Sequence, residues 1–120
     1  SSSKIDNALS NIDVRHHYST SEQVIGTWIN GKPLYEITIN FGSVPSNSTK
    51  SIPHGVSDID LVTYITGTMV GSGVAETVPS GDTGTYRVQV TSTNVRIITN
   101  SSWSSWDICH VTFRYTKTTD

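Results

Sequence analysis

The chain has 120 residues, which is room for one domain of ordinary size and none for a second, enzyme-sized one. Hydrophobic residues are 34% and charged residues 15%; hydroxyl fills the gap, with 18 Ser and 17 Thr, and the net charge is only −2. No cluster of cations is present to displace phosphate counterions, so nucleic acid is excluded as a partner. No apolar run approaches the ~18–20 residues needed for a membrane-spanning helix, so no membrane insertion is expected. A Thr-rich, Ala-poor chain instead suits β-strands with one wet face.

Residues 1–20 are polar, with Ile5, Leu9 and Ile12 spaced by four and then three and His16 continuing the spacing. That pattern predicts an N-terminal arm, read either as loosely docked or as the helical end of a stalk whose seam partner chains would bury. His16 repeated around a three-fold axis would offer an ion site, whereas the duller reading of His16-His17 is an exposed linker pair.

From residue 21 onward the period is two, which predicts an all-β head domain over residues 21–120. Val24–Ile29 alternates, and Asn30-Gly31 predicts a two-residue type I′ turn, since both residues tolerate positive φ. The return strand places Tyr35, Ile37, Ile39 and Phe41 on one face. After a polar loop with Pro45 and a short strand over Ser51–His54, Asp58–Val70 alternates with apolar residues on both faces. This predicts a central strand covered on both sides, broken or bent by Gly67, Gly71 and Gly73. Gly71–Asp82 reads as a variable surface loop. Tyr86–Val90 and Val95–Thr99 predict a hairpin turning near Ser92–Asn94. Asn100–Ser105 is a polar loop, and Cys109, Val111, Phe113 and Tyr115 alternate with Ile108, His110, Thr112 and Arg114 in the last strand. The sum is an antiparallel β-sandwich, jelly-roll-like, with Tyr35, Ile37, Ile39, Phe41, Ile65, Val88, Val111 and Phe113 buried.

The segment Glu22-Gln23-Val24-Ile25-Gly26-Thr27-Trp28-Ile29-Asn30-Gly31-Lys32-Pro33-Leu34-Tyr35 and the close Phe113-Arg114-Tyr115-Thr116-Lys117-Thr118-Thr119-Asp120 resemble a C-terminal domain of bacteriophage tail-fibre, baseplate and other receptor-binding proteins. His54-Gly55-Val56-Ser57 sits where such domains carry a similar piece. The resemblance implies a virion component made in the bacterial cytoplasm, a homotrimer working with other phage tail proteins, and recognition of a bacterial surface ligand, most often a glycan. It supplies no binding residues. The alternative is a structural trimerisation or capsid-decoration module of a phage virion protein without receptor binding.

The constellations that carry chemistry elsewhere are weak here. Asp58 and Asp60 are two apart, but nothing in the sequence sets the carboxylate separation that glycoside hydrolysis needs, and they lack the oxygen-rich loop of a calcium site. Cys109 and His110 project to opposite faces of a strand and cannot share a proton. No G-x-S-x-G or G-x-x-x-x-G-K-[ST] is present. No enzyme activity, cofactor or metal is expected. Trp103, Trp106 and Asp107 flank or follow a Ser-rich loop and offer stacking area beside hydrogen-bond partners, the combination a sugar requires. They form the expected ligand site, which Asp58 and Asp60 join if that end of the sandwich is shared.

Overall fold

The computed structural model describes residues 17–78, 86–100 and 106–120. The arm through His16, with Ile5, Leu9 and Ile12, and the loop residue Trp103 lie outside them. Among the described residues there is no helix. The strands are β1 (Gln23–Thr27), β2 (Pro33–Asn40), β3 (Thr49–Pro53), β4 (Ile59–Gly71), β5 (Val74–Val78), β6 (Tyr86–Val90), β7 (Asn94–Thr99) and β8 (Ile108–Lys117).

They form two antiparallel sheets, one of five strands in the order β1-β2-β8-β4-β5 and one of three in the order β3-β7-β6. The chain changes sheet after β2, β3, β5 and β7, and the non-consecutive pairs β2·β8 and β3·β7 wind it into a jelly-roll-like sandwich. Ile37, Ile39, Met69, Val111, Phe113 and Tyr115 of the larger sheet meet Val95 and Ile97 of the smaller, all within one core. Alternation explains this directly: in β8, Cys109, Val111, Phe113 and Tyr115 have no exposed surface, while His110 lies exposed on the other face.

The turns differ from expectation. The β1–β2 loop has three residues, Ile29-Asn30-Gly31, because Trp28 N–H donates to the Lys32 carbonyl at 2.8 Å and Gly31 N–H to the Trp28 carbonyl at 3.0 Å. Only Gly31 takes positive φ (85°). Asn30 instead uses its side-chain oxygen to accept the Lys32 N–H at 3.0 Å, an arrangement that favours a type I turn with a glycine bulge. The two-residue loop with positive φ at both positions occurs at Ser72-Gly73 (φ 51° and 77°), between the paired Gly71 and Val74. That turn makes a strand, β5, of residues expected to be loop.

β4 is interior to its sheet, but its outer face is not covered: Tyr64 is 44% exposed and Leu61 48%. Two register irregularities, between Ile59 and Val62 and between Val62 and Tyr64, break the expected alternation. They bring Ile59, Val62 and Ile65 opposite Lys117, Tyr115 and Phe113, and Leu61 is left outside. Ile65 faces inward by register yet remains 36% exposed, so its expected burial is not met; Tyr35 and Val88 are half-buried against the core.

Lys50 organises the crossing from β2 to β3. Its ammonium donates to the Phe41 carbonyl (3.0 Å), the Ser43 carbonyl (2.8 Å) and Ser43 Oγ (3.2 Å), and lies 5.0 Å from the Phe41 ring centroid. Three donors find three acceptors. Lys50→Met is expected to cost about 1.5–3 kcal/mol in urea unfolding; an unchanged midpoint would assign this loop's order to its backbone alone.

Candidate functional site

Trp103 lies outside the described residues, and the other residues expected to form one site with it fall at opposite ends of β8. Asp58 takes positive φ (61°), and its carbonyl accepts the Thr118 N–H at 2.8 Å, tying the start of β4 to the end of β8. Asp60 pairs with Lys32 at 3.1 Å. Trp106 and Asp107 precede the other end of β8, roughly 30 Å away at ~3.4 Å per residue. Trp106 is half-buried against the core and its carbonyl accepts the Val44 N–H at 2.9 Å, while Asp107 is exposed. Asp58 and Asp60 therefore do not join Trp106 and Asp107.

The Asp58 end carries a dense polar network. Glu22 accepts the Tyr115 hydroxyl at 2.5 Å and pairs with Lys117 at 2.8 Å. Lys117 Nζ lies 5.1 Å from the Tyr35 ring centroid, and Tyr35 stacks on Tyr115 with centroids 5.6 Å apart. Tyr35 O–H donates to Asp120 at 2.5 Å. A recess of about 430 Å³ beside this network is lined by Glu22, His54 and Ser57 among others. Its ionisable groups are engaged in holding the fold. His54 Nδ1 accepts the Val56 N–H at 3.0 Å, which leaves Nε2 to donate to the Thr91 carbonyl at 2.8 Å and join the end of β3 to the β6–β7 turn.

The hydrogen bond to Asp120, then burial, pushes the Tyr35 phenol up to about 12, and burial followed by the Glu22 bond raises that of Tyr115 further. In the unfolded chain these phenols ionise near 10. Their contribution is therefore complete below about pH 10 and is lost as pH rises through the folded value. Stability is expected to fall between about pH 10 and 12, and Tyr35→Phe is expected to flatten that fall. An identical alkaline profile in the variant would remove Tyr35 as a cause.

Cys109 and His110 point to opposite sides, as the strand period requires. Burial pushes the Cys109 thiol up to about 11, partly offset by Lys50, so it is no nucleophile at neutral pH. Among the described residues no group of three His, Cys, Asp or Glu side chains is placed to hold a metal ion.

Among the described residues, a groove shaped for a ligand lies on the outer face of the five-stranded sheet. This groove of about 500 Å³ is lined by Tyr18, Thr38, Tyr64, Thr66, Gly67, Thr68, His110 and Thr112. Register builds it: Thr38, Thr112 and Thr66 align across β2, β8 and β4, and Asn40, His110 and Thr68 align in the next row. The Thr38 and Thr112 hydroxyls share a hydrogen bond of 2.8 Å. Tyr18, 66% exposed, and Tyr64 supply ring area, and the Ser19 carbonyl, accepting the Thr38 N–H at 2.8 Å, anchors Tyr18's segment to the sheet. Reasoning from sequence missed this set. Period two does mark Tyr64, Thr66, Thr68, His110 and Thr112 as outward, but it does not say that β8 lies between β2 and β4.

Compared with protein-family models, with curated protein sequences and with solved structures, the chain matches none.

Proposed function

We propose that this chain is a non-enzymatic receptor-binding head of a bacteriophage tail fibre or baseplate, and that the Tyr18–Tyr64 groove binds a glycan of the bacterial surface. The groove carries the reading. It sets exposed aromatic area beside several hydroxyls that both donate and accept, the pairing that suits the apolar ring faces and hydroxyl rim of a sugar. The likeness of the Glu22–Tyr35 hairpin and the closing Phe113–Asp120 segment to tail-fibre domains supports the setting: a virion protein, made in the bacterial cytoplasm, acting as a homotrimer with other tail proteins. The engagement of Asp60 by Lys32 and the divergence of Cys109 from His110 support a binder over a hydrolase.

A second reading, a structural trimerisation or capsid-decoration module, is favoured by Val24 and Ile29, which are 61% and 90% exposed along the β1 edge and its turn. Adsorption to host cells separates the two. Tyr18→Ala with Tyr64→Ala is expected to weaken adsorption by tenfold or more with the fold retained. Trp103→Ala in the same assay tests the Asn100–Asp107 loop as the contact instead. Full adsorption by the Tyr18/Tyr64 variant rejects the groove, and no adsorption by the wild-type chain favours the structural reading. Light scattering at micromolar concentration tests the trimer.

A further inference from the structure

Resting on the reading of the groove as a glycan site, we infer that its ligand is a neutral, linear polysaccharide bound along its length across the strands, rather than a terminal sugar or an acidic glycan. The shape of the site favours a long ligand. Sites for small ligands enclose most of the ligand in a concave pocket. This site is a face open along the sheet, formed by three neighbouring strands, so contact area has to come from length. The polar groups are laid out accordingly. Thr38, Thr112 and Thr66 form a row perpendicular to the strands, and His110 and Thr68 continue the pattern in the row beside it. Thr112 is buried and its hydroxyl is shared with Thr38, whereas Asn40, His110 and Thr68 are all exposed. Adjacent strands are ~4.8 Å apart, so a chain lying along that second row meets a hydrogen-bonding side chain on each strand it crosses.

The charge of the site favours a neutral ligand. The described lining contains no carboxylate, Lys or Arg. The nearest cation in the register, Arg114, donates to the buried Glu36 carboxylate at 2.9 Å and lies 4.6 Å from the Tyr64 ring centroid. Its charge is balanced within the sheet. A polyanion would meet no compensating patch here, and it would approach a chain of net charge −2. Hydroxyls and an imidazole offer hydrogen-bond donors and acceptors to a neutral polyol.

The test is a glycan array carrying neutral and acidic glycans, each as mono- through hexasaccharides, probed with the full chain and with a Thr66→Val/Thr68→Val variant. Valine keeps side-chain shape and strand preference, and an unchanged melting temperature checks the fold. The expected result is binding to a neutral series that strengthens at least tenfold from mono- to tetrasaccharide. It should be insensitive to salt and fall at least fivefold in the variant. Strongest binding to acidic glycans, salt-sensitive binding, equal affinity for mono- and tetrasaccharide, or an undiminished variant would each overturn the inference while leaving sugar binding intact. No binding to any glycan would overturn the glycan reading and this inference together.

Discussion

Phe113→Ala is expected to destabilise the protein by about 3–5 kcal/mol, the usual cost of emptying a fully buried aromatic site. Phe113 has no exposed surface and lies opposite both Ile37 of β2 and Ile65 of β4. Its ring centroid is 5.3 Å from that of Tyr115 and 5.4 Å from that of His54. Truncation would therefore leave a cavity where β2, β8 and β4 converge, and would unseat the imidazole that joins the end of β3 to the β6–β7 turn. Ile65→Ala is the matched comparison. It removes an apolar side chain from the same row, but one 36% exposed, where neighbours and water can collapse on the site. Urea unfolding of both variants should rank Phe113→Ala well above Ile65→Ala. The reverse order would place the centre of the core elsewhere.

Arg114→Met should cost about 1.5–3 kcal/mol, through loss of a charge-assisted bond to a buried acceptor. Glu36 has no exposed surface although it lies on the outward side of β2, and Arg114, opposite it on β8, donates from Nε at 2.9 Å. The guanidinium also covers part of the Tyr64 ring. Met replaces the aliphatic stem but leaves the carboxylate with one partner fewer in a site without water access. Pairing Arg114→Met with Glu36→Gln should recover part of the loss, because an amide is cheaper to bury than a carboxylate. If the double variant is less stable than Arg114→Met alone, the carboxylate is held by something other than this bond.

Period-two alternation is a local property, and it was legible wherever a strand is regular. It was sufficient to bury Ile37 and Ile39 in β2, Phe41 just after it, and Val111 and Phe113 in β8, and to separate Cys109 from His110. Two antiparallel sheets follow from such strands, because each needs an apolar face to cover its own. Local pattern stopped being sufficient where one strand must adjust to another. The irregularities in β4 exist to keep Ile59, Val62 and Ile65 in register with β8, and no property of residues 58–70 alone specifies them. The Asn30-Gly31 pair took a three-residue loop because Asn30 could cap the Lys32 N–H, while Ser72-Gly73 adopted the two-residue turn. The candidate sites diverged most. Asp58 and Asp60 were separated from Trp106 and Asp107 by the length of β8, and the groove was assembled from β2, β4 and β8, strands far apart in sequence. Strand order and register are set when the sheets close around a shared core; a strand's own residues state which side faces in, but not which neighbour it will lie beside.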